Sequence, residues 1–280
     1  IKPSDAKEWA IRMSENGFAY STINNYKRSL RASFYIAIQD DYVRKNPFDF
    51  QLNTVIDDDT VPKTILTLEQ EARLLDFAKS DTVYHKNYDE ILILLKTGLR
   101  ISELCGMTVT DLDFENHLIL VNHQLLRNTE LGYYIETPKT KSSERQVPMV
   151  EVTCQALKRV LAVQNQNECV EIDGYSNFLF LNRNGYPKTA CDFNSILRNL
   201  IKKYNKCHEE KLPHITPHTL RHTFCTNCAN AGMNPKALQY IMGHANITMT
   251  LNYYAHATCN SAMEEMKRLE KEQQARCLVL

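Results

Sequence analysis

The stretch ITPHTLRHTFCTNCANAG, residues 215–232, contains the signals for both ends of a helix. Thr216 is a good N-cap, because its side-chain oxygen can accept a hydrogen bond from a free backbone N–H group. Pro217 suits the first helical position, and Gly232 suits the left-handed conformation that ends many helices. The sequence therefore predicts a helix between Pro217 and Gly232.

Similar signals predict helices on both sides of this stretch. The segment NPKALQYIMG again begins with a capping residue and a proline, and it ends at Gly243. Upstream, Thr67 and Gln70 have the spacing of a capping box. The apolar segment YDEILILLKTG ends at Gly98, and LRISELCG predicts a short helix that ends near Gly106.

One region between these helices has the periodicity of strands. Short alternating or β-rich runs predict three antiparallel strands at about 117–125, 132–137 and 145–149. The segment TKSSE is expected at the tip of the last hairpin. The fold class predicted is therefore mostly α with a small antiparallel β-sheet, an α+β arrangement.

Residues 1 to about 50 predict a separate helical unit. Ser21 is a candidate N-cap, and apolar side chains then recur at helical spacing: Ile23, Tyr26, Leu30, Phe34 and Ile38. Pro47 ends this unit, because it disfavours helix at the preceding residue. The acidic, aperiodic segment from about 50 to 64 predicts a linker.

Composition restricts the class of protein. The chain has 280 residues, 43% hydrophobic and 24% charged, which is typical of a globular protein large enough for one or two domains. It has no apolar run of the roughly 20 residues that a membrane helix needs, and its first residues do not resemble a signal peptide. The zero net charge excludes binding to nucleic acid through bulk charge, but a local basic face remains possible, and basic residues do cluster between 183 and 221.

The nine cysteines favour reduced thiols in a cytosolic protein, because their number is odd and their spacing irregular. Cys225 and Cys228 have CxxC spacing, but they fall within a helical pattern and no second pair lies nearby. A redox or zinc role for this pair is therefore disfavoured.

The segment HTLRH is a candidate site on the predicted helix 217–232. His218 and His222 could hold a metal from one helical face, but Thr219 stands where the zinc-protease pattern requires glutamate. His218 and Arg221 also share a face near a helix N-terminus, where charge, dipole and free N–H groups favour an anion. A surface ion pair of Arg221 beside a capping histidine is the alternative at this point.

Three segments, in this order, resemble the signature of the tyrosine recombinases, the phage-type integrase family: TGLRISEL, HTLRHTF and MGHANITMTLNYYAH. A fourth, TPKTKSSERQVPM, resembles the hairpin that carries a catalytic lysine in that family. The resemblance covers nearly the whole chain, and the last motif is most similar to integrases of conjugative transposons. It implies a site-specific DNA recombinase that integrates and excises a mobile element through a 3′-phosphotyrosyl intermediate.

The resemblance also implies the domain organisation. A helical core-binding, SAM-like DNA-binding domain is expected at 1–56, a linker at 57–64 and the catalytic domain at 65–258. The tail, 259–280, is expected to dock as a helix on a neighbouring subunit. The arm-binding domain that such integrases often carry at their N-terminus is expected to be absent from this stretch.

Carried over residue by residue, the active site implied by the resemblance consists of Arg100, Lys139, His218, Arg221, His244 and Tyr254. The two arginines would bind the non-bridging phosphate oxygens, since a guanidinium donates forked hydrogen bonds. Tyr254 would be the nucleophile, His218 would assist its proton transfer, Lys139 would protonate the leaving oxygen, and His244 would hydrogen-bond the phosphate. Such a site needs no metal or cofactor.

Two of these positions have neighbours of the same type. Lys139 is preferred to Lys141 because its distance from the proline of RQVPM fits the family better. Tyr254 is preferred to Tyr253 because a small residue and a histidine follow it, although the spacing of either from the GH motif is tolerated. Glu103 is expected to be a buried partner of a basic group.

The predicted partners are double-stranded DNA, further copies of the chain in a tetramer on DNA, and an excisionase or a DNA-bending protein. No membrane association is expected, and the predicted location is the cytoplasm, on DNA, for a protein of bacterial or phage origin. The alternative functions are a type IB topoisomerase that acts alone and a DNA-binding relative that has lost the chemistry. An intact set of catalytic residue types argues against the second.

Overall fold

The computed structural model describes residues 1–60, 64–137, 144–163 and 170–254, together with 266, 267 and 270. The chain divides into two compact units, Ile1–Lys63 and Thr64–Leu280. Lys139, Lys141 and nearly all of the tail at 259–280 lie outside the described residues. None of the helices in the described part of the chain is long and apolar enough to cross a membrane.

The first unit contains the helices α1 (Pro3–Glu15) and α2 (Tyr20–Gln39) and a 3-10 turn at Leu52–Thr54. Helix α2 begins one residue before Ser21, and Ala19 is its N-cap, so the prediction of Ser21 as the cap was wrong. The N-cap makes no side-chain hydrogen bond, and the backbone N–H of Tyr20, the first residue of α2, instead donates to Asp59 Oδ1 at 3.2 Å.

Packing in the first unit follows only part of the predicted apolar stripe. Ile23 is fully buried, whereas Tyr26 is 51% exposed. Lys27 is buried instead, and its ammonium lies 4.7 Å from the centre of the Phe50 ring. Burial lowers the pKa of Lys27, and the ring face offers the charge a favourable electrostatic contact. Trp9 is half-buried among the partly buried residues of this cluster.

The second unit is mainly helical. Its helices are α3 (Leu68–Ser80), α4 (Tyr88–Thr97), α5 (Ile101–Gly106), α6 (Glu151–Val163), α7 (Ala190–Cys207), α8 (Pro217–Asn230), α9 (Pro235–Met242) and α10 (Ile247–Leu251). The described residues of this unit also include short 3-10 turns at His85–Asn87 and Val109–Asp111. The predicted mostly α fold with small antiparallel sheets is confirmed.

Local capping signals correctly located several helix ends in the second unit. Thr67 accepts a hydrogen bond from the backbone of Gln70 at 3.2 Å, and the Gln70 side chain accepts one from the Thr67 backbone at 3.1 Å. Thr216 caps α8. Gly98 and Gly243 end α4 and α9 in the left-handed conformation, with φ of 64° and 60°.

The strands pair differently from the prediction. They are β1 (Leu112–Asp113), β2 (Leu118–Val121), β3 (Gln124–Asn128), β4 (Gly132–Glu136) and β5 (Arg145–Pro148). The predicted first strand is two strands, β2 and β3, and they belong to different sheets. The order β1-β2-β5 forms one antiparallel sheet, and β3 pairs with β4 in the other. The expectation that the runs at 132–137 and 145–149 form one hairpin was therefore wrong for the described residues.

Helix α4 lies at the centre of the second unit. Five consecutive apolar residues, Ile91 to Leu95, are each at most 3% exposed. The helix packs against α3, α6 and α8, so it is covered on several sides. A helix that is apolar nearly all round is expected in such a position. Its C-terminal end, at Gly98, leads directly to Arg100 and thereby fixes one wall of the candidate site.

Candidate active site

The C-terminal end of α9 gathers three arginines. Their guanidinium groups donate to three consecutive backbone carbonyls: Arg145 Nε to Ile241 at 2.7 Å, Arg221 Nη2 to Met242, and Arg100 Nη2 to Gly243 at 2.7 Å. The last carbonyls of a helix have no intrahelical partner and carry partial negative charge. The end of α9 is therefore a favourable acceptor for positive groups that would otherwise repel one another.

Gly243 is required at this end of α9 for two reasons. Its φ of 60° is a conformation that side-chain-bearing residues rarely adopt. A Cβ at this position would also lie 2.9 Å from Arg145 Nη1 and 3.2 Å from Arg100 Nη1. The absence of a side chain thus allows two guanidiniums to approach the backbone.

Arg221 connects the ends of two helices. It is 4% exposed, and its Nη1 donates to the carbonyl of Gly98 at 2.5 Å while its Nη2 donates to Met242. Burial and the charge of Arg100 lower the pKa of Arg221 to about 10, so it stays protonated at neutral pH. The position of Arg221 is therefore fixed by α4, α8 and α9 together.

Arg100 stands at the N-cap of α5 and shares a carboxylate with Arg145. Glu103 Oε1 accepts from Arg100 Nη1 at 2.7 Å and from Arg145 Nη1 at 2.9 Å. Glu103 Oε2 accepts from Arg145 Nη2 at 2.8 Å and from the Arg100 backbone at 2.8 Å. The expectation that Glu103 is a buried partner of a basic group is confirmed.

The charge state of Glu103 follows from these contacts. Burial acts to raise its pKa, but the hydrogen bonds and positive charges of Arg145 and Arg100 outweigh burial and lower the pKa to about 2. Glu103 is therefore ionised at neutral pH, and the three groups carry a net positive charge.

His244 follows Gly243 directly and is 8% exposed. Its Nδ1 lies 3.0 Å from the hydroxyl of Thr250 in α10. The backbone N–H of His244 donates to the backbone carbonyl of Gln239 at 3.2 Å. The side-chain amide of Gln239 donates to the backbone carbonyl of His244 at 3.0 Å. These contacts fix His244, which follows directly after the residue whose carbonyl accepts from Arg100.

His218 and His222 lie one turn apart on α8, on either side of Arg221 in the sequence. His218 is exposed, and its ring meets the buried ring of His222 edge-on with 4.1 Å between centres. His222 Nδ1 shares a hydrogen bond with the hydroxyl of Tyr253. His222 thus has a packing and hydrogen-bonding role in the described structure.

The two adjacent tyrosines have different partners. Tyr253 bonds to His222, whereas the Tyr254 hydroxyl donates to the carbonyl of Met233 at 2.5 Å, in the loop between α8 and α9. Both follow α10, which ends at Leu251. Burial raises the pKa of Tyr253 to about 12 and also raises that of Tyr254, so both phenols are protonated at neutral pH.

The described residues also contain one group that could be considered for a metal, made of His117, Glu151 and Cys154. His117 Nδ1 lies 3.1 Å from Cys154 Sγ, a hydrogen-bond distance. Burial and the nearby Glu151 raise the pKa of the Cys154 thiol. A protonated thiol bonded to an imidazole accounts for this contact.

The structure thus brings three of the six residues implied by the sequence to the end of α9: Arg100 and Arg221 bond to its carbonyls, and His244 follows Gly243 directly. His218 lies three residues before Arg221 on α8, with its ring against that of His222. Tyr254 is bonded to Met233, and Lys139 is outside the described residues. Arg145 is the member of the cluster that sequence reasoning missed. The sequence offered one signal: Arg145 lies two residues before Val147 in a predicted strand. Alternate side chains of a strand share a face, so Arg145 lies on the same buried face as Val147.

Comparisons with known proteins agree with this fold and site. The phage integrase family matches residues 64–261. The transposase from transposon Tn916 of Enterococcus faecalis is 76% identical over 279 residues, which cover 100% of this chain and 69% of that protein. The tyrosine recombinase XerC of Bacillus licheniformis is 27% identical over 254 residues, or 91% of this chain and 76% of XerC.

Solved structures of the Tn1549 transposon integrase have the same fold. One, in complex with a circular intermediate DNA, matches with a TM-score of 0.91 and 64% identity over 96% of this chain and 85% of that chain. Another, in complex with transposon right end DNA, matches with a TM-score of 0.91 over 96% and 86%. The first carries an arginine-to-lysine substitution and the second a tyrosine-to-phenylalanine substitution, at positions 154 residues apart.

The fold and the arginine cluster define a tyrosine recombinase, an enzyme that cleaves and rejoins DNA strands. The chain belongs to the phage integrase family. The expected class of enzyme and its action in site-specific recombination are therefore confirmed, and neither the topoisomerase nor the inactive relative is favoured.

Proposed function

We propose that the chain is the integrase of a conjugative transposon and that its active site consists of Arg100, Lys139, His218, Arg221, His244 and Tyr254. The observation that carries the proposal is the meeting of Arg100 and Arg221 at adjacent carbonyls of α9, beside His244. Two fixed guanidiniums with a histidine next to them suit a group whose negative charge is shared by two oxygens, such as a phosphodiester.

The arginines keep hydrogen-bonding capacity for a phosphate. A guanidinium has five N–H groups. Arg221 donates one N–H from each terminal nitrogen, to the carbonyls of Gly98 and Met242. Arg100 likewise donates one N–H from each terminal nitrogen, to the Glu103 carboxylate and the Gly243 carbonyl. The other N–H groups can donate to the non-bridging oxygens as charge redistributes in the transition state.

The reaction conserves the energy of the phosphodiester. The phenolic oxygen of Tyr254 attacks phosphorus, its proton passes to His218, and the bond from phosphorus to the 5′ oxygen breaks. Lys139 gives a proton to that 5′ oxygen. The enzyme is then joined to the 3′ phosphate, and the 5′ hydroxyl of a second strand reverses the step to release the tyrosine.

Tyr254 is the proposed nucleophile rather than Tyr253. The arginine and the tyrosine substituted in the Tn1549 integrase structures are 154 residues apart, and Arg100 and Tyr254 have the same separation in this chain. Tyr253 is already bonded to His222 and contributes to packing. For catalysis, the hydroxyl of Tyr254 has to exchange Met233 for the phosphate.

A nicked DNA substrate tests this assignment. The DNA is an end of the mobile element that encodes the chain, cut just beyond the cleavage point so that the short fragment is lost and rejoining fails. We expect a covalent protein–DNA complex with the wild type and with Tyr253→Phe but none with Tyr254→Phe. A complex that persists in Tyr254→Phe and disappears in Tyr253→Phe would assign the reaction to the other phenol.

Assays of strand joining and of plasmid relaxation with the wild-type protein distinguish a recombinase from a topoisomerase. We expect joined products only when two element ends are present, because strand exchange needs a second 5′ hydroxyl. Relaxation of supercoiled plasmid without an element end would instead support an enzyme that acts alone.

We further propose the domain roles and the assembly. Residues 1–56 would form a core-binding domain that helps to clamp DNA, 57–64 a linker and 65–258 the catalytic domain. Residues 259–280 would dock on a neighbouring copy within a tetramer on two DNA sites, and an excisionase or DNA-bending protein would influence direction.

Deletion of the tail tests the assembly. A chain that lacks 259–280 is expected to retain its thermal unfolding transition and its binding to a single site but to form fewer tetramers on DNA. Sedimentation of the protein–DNA complexes measures the difference. Unchanged tetramer formation at the same concentration would exclude docking through the tail.

A further inference from the structure

We propose that Arg145 is a positioning residue for the strand-cleavage reaction, acting through Glu103 and the end of α9 to place Arg100. The inference rests on the proposed function, since it assigns Arg100 to the phosphate. Arg145 itself is not assigned any contact with DNA.

Arg145 and Glu103 form a forked pair. Both terminal nitrogens of Arg145 donate to the two oxygens of Glu103, at 2.9 and 2.8 Å. The side chain of Arg145 has 0% exposure and that of Glu103 has 7%. A bidentate pair in such a buried place fixes the plane of the carboxylate as well as its position.

Arg145 also contacts the end of α9. The third nitrogen of Arg145, Nε, donates to the carbonyl of Ile241 at 2.7 Å. One guanidinium therefore joins a carboxylate of α5 to the backbone at the end of α9. These elements are distant in sequence, so the side chain sets their separation in the folded protein.

Arg100 bonds to the same two places, the Glu103 carboxylate and the end of α9. Arg100 donates from Nη1 to Glu103 Oε1 and from Nη2 to Gly243, two residues beyond Ile241. A shift of the carboxylate or of the end of α9 therefore changes the orientation of the Arg100 guanidinium. Arg145 restrains both of its acceptors.

The charge of Arg145 has a further effect on Arg100. Glu103 is held ionised by Arg145 and Arg100 together. With Arg145 present, the carboxylate is shared by two cations, which leaves more of the positive charge of Arg100 for a phosphate. Without Arg145, a buried carboxylate would have Arg100 as its main counter-ion and would hold that guanidinium more strongly.

The proposal is tested by single-turnover cleavage of the nicked substrate at saturating DNA. Arg145→Lys keeps the charge but loses the fork, and Arg159→Lys is the matched control. Arg159 also makes a forked pair, with Asp89, but it is about half exposed. DNA affinity and thermal unfolding are measured for each variant, so that folding, binding and chemistry are separated.

We expect Arg145→Lys to bind the substrate within about twofold of the wild type but to cleave it about tenfold more slowly, because small displacements of catalytic groups reduce rates strongly. Arg159→Lys should cleave at the wild-type rate. An Arg145→Lys protein that is folded and cleaves as fast as the wild type would overturn the proposal.

A double-mutant cycle separates positioning from a general loss of structure. If Arg145 acts in part through Glu103, the rate of the Glu103→Gln, Arg145→Lys double variant should lie well above the product of the two single effects. Rates that fall by the product of the two single effects would refute action through Glu103. If Arg145→Lys does not fold, the pair Glu103→Gln, Arg145→Met removes both buried charges, and cleavage by that folded protein at the wild-type rate would overturn the proposal.

Failure of the proposed function and failure of the role of Arg145 give different experimental results. A wild-type protein that forms no covalent complex through Tyr254 would refute the proposed function itself. A wild-type protein that forms the complex, with Arg145 variants equal to it, would refute only the role of Arg145.

Discussion

The phenolic hydroxyl of Tyr254 donates a hydrogen bond to the backbone carbonyl of Met233, with 2.5 Å between the oxygens. Met233 lies in the loop that joins α8 to α9, the two helices that carry Arg221 and the carbonyls to which the arginines bond. The proposed nucleophile is thus held by a segment whose two ends belong to the site. Engagement of DNA has to break this bond before the phenol reaches phosphorus.

We therefore predict that the two tyrosines contribute differently to stability with and without DNA. Tyr253→Phe and Tyr254→Phe should each lower the stability of the free protein by about 1 kcal/mol, the usual loss for one hydrogen bond. In complex with intact element-end DNA, the deficit of Tyr254→Phe should shrink, because the wild type has given up the Met233 bond. The deficit of Tyr253→Phe should persist, and thermal unfolding with and without DNA measures both.

Equal deficits for Tyr254→Phe in the free and bound protein would show that the Met233 bond survives on DNA. Tyr253→Phe is the internal control in this comparison, because its partner is a side chain of α8 rather than the α8–α9 loop.

Capping residues explain why the helix ends could be predicted. Thr67 and Thr216 each act on an N–H group three residues away, so the information is local. Gly98 and Gly243 end helices through their own φ angles. Such features depend little on the rest of the chain, and sequence reasoning located them correctly.

The contacts of Arg145 show where sequence reasoning stopped. Its partner Glu103 is 42 residues away and its partner Ile241 is 96 residues away. No local pattern relates such positions. The strand pairing was mispredicted for the same reason, since β5 pairs with the distant β2, whereas β3 and β4 are joined by a short turn between Asn128 and Gly132.

Substitution of Gly243 tests how closely the guanidiniums of Arg100 and Arg145 pack against the end of α9. Gly243→Ala should destabilise the protein by roughly 3 kcal/mol, because a left-handed conformation and a contact with two guanidiniums are both penalised. It should also slow strand cleavage, since Arg100 and Arg145 have to move away from the new Cβ. Chemical denaturation and single-turnover cleavage measure the two effects.

Gly185→Ala is the control for the backbone term. Gly185 has φ of +78°, and a Cβ there would meet nothing within 4 Å. Only the conformational cost of about 1 kcal/mol should remain, with no change in cleavage. Equal effects of the two substitutions would mean that the arginines do not constrain position 243.

The low pKa of Glu103 predicts how stability depends on pH. The folded pKa of about 2 lies below the ordinary value of 4.5. The stabilisation is therefore fully present above pH 4.5 and is lost as pH falls towards 2, where the folded carboxylate takes up its proton. Denaturation at several pH values should give a flatter curve in this window for Glu103→Gln than for the wild type.

Glu130→Gln, at an exposed position in the turn after β3, is the control for this measurement. It should leave the wild-type slope nearly unchanged. A Glu103→Gln protein whose stability falls as steeply as that of the wild type between pH 4.5 and 2 would mean that other carboxylates dominate acid unfolding.

The general acid gives the most direct chemical prediction. If Lys139 protonates the 5′ oxygen, Lys139→Ala should cleave ordinary DNA slowly, because an alkoxide is a poor leaving group. A 5′-phosphorothiolate substrate should restore the rate, since a thiol ionises far more readily than an alcohol and sulfur leaves without a proton. Lys141→Ala should cleave both substrates at similar rates, as it retains the acid. Rescue of Lys141→Ala with none for Lys139→Ala would transfer the role to Lys141, while failure to rescue either variant would mean that the proton comes from a group outside this segment.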